Sequence, residues 1–114
     1  MAYHSFEDLE VWQRACRQAV WIFKIFEDCK NWTLRDQIQR AAISVPSNIA
    51  EGCERNSTPN FKRFLSIALG SNAELRTQLY IARRIGLMDQ LDNIITEAKH
   101  IPAMLHGLRK SLKP

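Results

Sequence analysis

Apolar residues recur at three- and four-residue steps from Leu9 to Leu112, and no segment alternates with the two-residue period of a strand. That is the buried stripe of an amphipathic helix, repeated along the chain, and it commits the sequence to an all-α fold. Only four glycines and four prolines interrupt it, so the helices are long and their connections short. Helices are expected at about 6–28, 34–55, 59–85 and 89–111. Ser5 with Asp8 opens the first, Thr33 with Asp36 the second, and Thr58 with Pro59 the third, while Gly86 is a natural stop. The expected seams are Leu9, Trp12, Cys16, Val20, Phe23 and Phe26 in helix 1 and Leu34, Ile38, Ala41, Val45 and Ile49 in helix 2. Helix 3 contributes Phe61, Leu65, Ala68, Asn72, Leu75, Leu79 and Ala82, and helix 4 contributes Leu91, Ile94, Ala98, Ile101, Leu105, Leu108 and Leu112. Short connections make neighbours antiparallel, which gives one up-down-up-down four-helix bundle over residues 1–114.

The stretch SVPSNIAEG, Ser44 to Gly52, places a proline and several polar side chains inside helix 2. A proline inside a helix removes the amide that would bond the carbonyl four residues earlier, here Ala42, at a cost of about 3 kcal/mol. The stripe from Leu34 to Ile49 nevertheless keeps its phase through Pro46, so the reading is a continuous helix kinked at Pro46. Ile43, Ala42, Pro46 and Ala50 widen its apolar arc beyond what one neighbouring helix buries. Beside that arc, Ser44, Asn48 and Glu51 are expected to share a hydrogen-bonded network with Asn72, Glu74 and Gln78 of helix 3.

At 114 residues the chain is long enough for a single core. No apolar run reaches the roughly 20 residues of a membrane span, and the polar, acidic start MAYHSFEDLE differs from a secretion signal, so a cytoplasmic protein is expected. Cys16, Cys29 and Cys53 have no CxxC spacing and read as reduced thiols. Sixteen Lys and Arg against twelve Asp and Glu leave a net charge of +4, which permits an anionic partner without requiring one.

Chemistry is sparse. A di-iron bundle needs two Glu-x-x-His motifs, and only Glu97-Ala98-Lys99-His100 fits, so no metal or other cofactor is expected. His4 and His106 have no neighbours at ligand spacing, no serine or cysteine sits in a nucleophile elbow, and Glu51 with Glu74 are the only candidate paired carboxylates. They read as structural, and the chain as a non-enzyme. The surface says more. Arg14, Arg17, Trp21 and Lys24 share the face of helix 1 away from the expected seam, a pattern that can hold phosphates and stack a base. Arg40 and Arg55 add charge from helix 2. Trp21, Ile25, Ile43 and Pro46 are candidates for an interface between subunits, since exposed large apolar groups mark such surfaces.

FEDLEVWQRA (Phe6 to Ala15), QIQRAAISVPSNIAEG (Gln37 to Gly52) and FKRFLSIALGSNAELRTQL (Phe61 to Leu79) together resemble a bacterial family. It is the family of four-helix bundle proteins named for genes within intervening sequences of 23S ribosomal RNA genes. The resemblance covers most of the chain up to helix 4. It implies a closed homo-oligomer, a pentamer in the family. It also implies kinship with the accessory protein of diversity-generating retroelements, which binds nucleic acid and a reverse transcriptase. It implies no enzyme activity. Gln39 departs from the family, which often carries a second arginine beside Arg40. The expectation is therefore a non-enzymatic homo-oligomer with a basic surface for RNA or DNA. The alternative is a protein-interaction scaffold that binds no nucleic acid, and a remote third reading is an enzyme using Glu51 and Glu74.

Overall fold

The computed structural model describes residues 5–112; His4 and Lys113 lie outside them. The elements run as a short 3-10 turn, Phe6–Asp8, then α1 (Glu10–Ile25), α2 (Trp32–Glu54), α3 (Thr58–Arg84) and α4 (Asp92–Ser111). Packing pairs α1 with α2, α2 with α3, α3 with α4 and α4 with α1, so α1 and α3 lie on one diagonal of a rod 46 Å long and 19 Å across. The expected four-helix bundle is the observed fold, and α2 runs unbroken through Pro46.

Helix starts fall one to four residues from those expected, for identifiable reasons. Ser5 accepts a hydrogen bond from the Glu7 amide and so caps the 3-10 turn; Leu9, extended at φ −80° and ψ 123°, separates that turn from α1. Asn31, rather than Thr33, caps α2 through the Leu34 amide at 3.2 Å. Ser57, rather than Thr58, caps α3 through the Asn60 amide at 3.2 Å, which places Pro59 in the first turn. The end of α3 is as expected: Gly86 at φ 70° lets the Leu87 amide reach the Ala82 carbonyl (3.0 Å) and its own amide reach Arg83 (3.1 Å). α4 begins at Asp92, three residues later than expected, after Gln90 takes a positive φ of 65°.

The expected seams of α3 and α4 are fully buried. That of α1 is not. Leu9 and Phe26 are buried, but the residues between them that face the core are Val11, Ala15, Gln18, Ala19 and Ile22; Trp12 and Cys16 are half-buried, and Val20 and Phe23 are exposed. The helix is turned by roughly one residue, about 100°, so that alanines face its neighbours and larger side chains face outward.

One buried polar layer divides the core into two halves. Pro102 sits inside α4 and has no amide to offer the Ala98 carbonyl four residues earlier. Asn72 of α3, wholly buried, supplies the missing donor: its Nδ2 donates to the Ala98 carbonyl at 2.7 Å. Gln18 of α1 reaches across the diagonal and donates from Nε2 to Asn72 Oδ1 at 3.3 Å. Val45, Ile49, Phe61, Leu65, Ile101 and Leu105 fill one side of this layer, and Ile22, Phe26, Ile38, Leu75, Leu79 and Ile94 fill the other. A polar layer of this kind fixes axial register among α1, α3 and α4, because sliding any one of these three by a turn would leave its partners unbonded.

Candidate assembly and nucleic-acid interface

The network expected between α2 and α3 is present in part. Ser44 Oγ and Ser71 Oγ share a hydrogen bond of 2.8 Å, and Asn48 Nδ2 donates to the Ser44 carbonyl at 2.8 Å and to Ser44 Oγ at 2.9 Å. The remaining assignments need correcting. Asn72 faces α1 and α4, as described above. Glu51 pairs with Arg55 one turn on along its own helix at 2.6 Å. Glu74 is exposed and has no side-chain hydrogen bond to a described residue, and Gln78 Oε1 is buried without a donor. Nor do Glu51 and Glu74 form a carboxylate pair. Ser44 lies opposite Ser71 and Gly52 opposite Phe64, so Glu51 and Glu74 differ in height by about 15 Å at 1.5 Å per residue.

Two of the five candidate cations are already engaged. Arg14 grips Glu97 with two bonds, Nε to Oε2 at 2.7 Å and Nη2 to Oε1 at 2.9 Å, while Nη2 also lies 3.1 Å from His100 Nδ1. This clasp between α1 and α4 occupies the Glu97 and His100 that the metal motif singled out. Arg55 holds Glu51 and lies over the Phe64 ring at 5.0 Å. Arg17, Lys24 and Arg40 are exposed, with no acidic partner in an ion pair among the described residues. Arg17, Trp21 and Lys24 line one shallow groove along α1 together with Cys16 and Val20.

The hydrogen bonds from Arg14, together with its charge, hold the Glu97 carboxyl below the ordinary glutamate range, against the opposing effect of burial. A lowered native pKa stabilises the fold above the unfolded value of about 4.3, and that stability is lost as pH falls through the native value. Glu97→Gln is therefore expected to destabilise the bundle at about pH 7, with the gap to wild type narrowing as the pH is lowered to about 3. Urea denaturation at the two pH values checks this, and a gap of equal size at both would contradict it.

Burial raises the thiol pKa of Cys16 and Cys53 above the ordinary value, which leaves them protonated and unreactive. Among the interface candidates, Pro46 is buried within the subunit and offers nothing to another chain, and Ile25 is half-buried against the core. Trp21 (39% exposed) and Ile43 (46%) do reach the surface. Sequence reasoning missed their neighbours. Val20 and Phe23 join Ile43 along a groove between α1 and α2, and Ile67 and Ile81 of α3 are exposed together with Ile85, which caps its C-terminal end. At 100° per residue the three isoleucines fall on one face of α3, a signal already present in their spacing. Beside them, Gln37, Arg40, Ala41, Ser44, Ser71, Glu74 and Gln78 line a polar cleft of about 300 Å³ between α2 and α3. Two apolar strips thus flank the outer ridge of α2.

Among the described residues no helix is long and apolar enough to cross a membrane. No curated protein matches the chain. Its fold is similar to a crystal structure of a protein of unknown function from the S23 ribosomal protein family of Bacteroides thetaiotaomicron. The two are 23% identical, with a TM-score of 0.82 over 89% of this chain and 99% of that one. The model of the 23S rRNA-intervening sequence protein family matches residues 7–107. With nearly the whole bundle inside that match, the chain belongs to the 23S rRNA-intervening sequence protein family.

Proposed function

We propose that the protein is a non-enzymatic bundle that assembles with copies of itself into a closed ring, and that the assembly holds RNA or DNA. The observation that carries this reading is the pair of exposed apolar strips, Val20, Phe23 and Ile43 on one side of the α2 ridge and Ile67, Ile81 and Ile85 on the other. A monomer of this size gains nothing from leaving six large apolar side chains in water, whereas a subunit joined to two neighbours buries both strips. Because the strips are different surfaces, a contact between them is heterologous, and repeating it generates a ring when the rotation closes.

The nucleic-acid part rests on charge. Assembly conserves net charge, so a ring of n copies carries n times the +4 of one chain, enough to draw a polyanion at moderate salt. Of the candidate cations, Arg17 on the outer face of α1 is the one best placed to meet a phosphate. The absence of an enzyme is supported by the commitments of Glu97 to Arg14 and Glu51 to Arg55 and by the protonated thiols. Three free cysteines suit the reducing cytoplasm.

Fluorescence anisotropy with single-stranded RNA and DNA oligonucleotides tests the polyanion reading. Affinity is expected to fall steeply between about 50 and 200 mM salt, and Arg17→Ala to weaken binding and lower the salt slope by about one for each copy touching phosphate. Binding that is absent at low salt, or indifferent to salt, would leave a protein-interaction scaffold as the better description.

A further inference from the structure

The α2/α3 cleft and the α1/α2 strip carry opposite charges in matching places. On the strip, Lys24 and Glu27 stand three residues apart on α1 beside Val20, Phe23 and Ile43. In the cleft, Arg40 sits on the α2 rim and Glu74 on the α3 rim; both are exposed, and they form no ion pair with each other.

We infer that this cleft is the socket for α1 of a second copy of the chain, with the partner's Lys24 reaching Glu74 while the partner's Glu27 reaches Arg40. The inference rests on the self-assembly reading above and names its contact. Residues three apart on a helix lie side by side, about 5–6 Å between Cβ atoms. The two rims belong to neighbouring helices whose axes lie about 8–10 Å apart. Lys24 and Glu27 therefore address opposite rims when α1 crosses the cleft obliquely. In that pose Val20 and Phe23 meet Ile67 and Ile81, which border the cleft on the face of α3 that carries Glu74. Arg35, the other cation on the strip, is already paired with Asp36 at 3.2 Å. Arg17, seven residues before Lys24 on the same side of α1, lies two turns along the helix from this contact.

Charge reversal with rescue tests this contact. Lys24→Glu and Glu74→Lys each change an exposed side chain, so the fold persists, as circular dichroism at matched concentration verifies. Each single variant is expected to weaken assembly at least about tenfold, because like charges then face each other across every junction. The double variant Lys24→Glu with Glu74→Lys restores opposite charges and is expected to sediment as wild type does. Single variants that assemble normally, or a double variant that stays dispersed, would overturn the docking while leaving self-assembly standing. A wild-type chain that sediments as a monomer would remove both.

Discussion

Gly52→Val is expected to destabilise the bundle by about 3 kcal/mol or more, lowering the melting temperature by roughly 10–20 °C at a fixed protein concentration. The cause lies where α2 crosses α3. A Cβ built on Gly52 would sit 2.6 Å from Phe64 Cβ and 3.2 Å from Phe61 Cδ1, with the Phe61 carbonyl at 3.4 Å. Phe64 Cβ is anchored directly to its backbone, so no rotamer change relieves the contact and the two helices have to move apart. Phe61 and Leu65, both fully buried beside the crossing, would lose their packing with it. Gly70 supplies an internal control. It also lies inside a helix, but a Cβ there meets nothing within 4 Å, so Gly70→Ala is expected to raise stability by up to about 1 kcal/mol through helix propensity alone. Opposite signs at the two glycines, measured by thermal melts, are the expected result. A neutral Gly52→Val would mean that the close approach of α2 and α3 is not tightly set.

Asn72→Leu is expected to cost about 2–4 kcal/mol, since it strands two buried groups at about 1–3 kcal/mol each and recovers part of the loss by burying apolar surface. The groups are the Ala98 carbonyl, deprived of its helical donor by Pro102, and Gln18 Nε2. This origin makes the effect conditional on Pro102. In a Pro102→Ala background residue 102 regains an amide, Ala98 regains its partner within α4, and Asn72→Leu should cost at least about 1 kcal/mol less. A double-mutant cycle by urea denaturation reads that coupling directly. A cost for Asn72→Leu that is identical in both backgrounds would show that Asn72 does not act through the proline.

The sequence reading and the structure agree where pattern alone decides and part where packing decides. The stripes of α3 and α4 were legible because their large residues are also their buried ones, from Phe61 to Leu79 and from Leu91 to Leu112. In α1 the size rule misleads. Ala15 and Ala19 face the core because close approach to the neighbouring helices favours small side chains, and Val20 and Phe23 are left exposed, a result that depends on the neighbours. The α1/α2 strip was invisible for the same reason, whereas the isoleucines beside α3 were legible in their spacing. The freed-carbonyl argument was applied to Pro46, yet the proline that organises the polar layer is Pro102. Asn72 in the seam of one helix and a proline inside the next together held that signal. No spacing brings Arg14 to Glu97, 83 positions apart. The cap shifts at Asn31 and Ser57 reflect, at each start, two polar candidates within two residues of which only one reaches the third amide of the helix.

All of the functional account depends on whether the two strips beside α2 are covered by other copies of the chain. Multi-angle light scattering of the full chain at micromolar concentration tests this most directly. The predicted result is one species whose mass is at least three whole multiples of 13.2 kDa and holds on dilution. A single 13.2 kDa species throughout the same range would contradict the account.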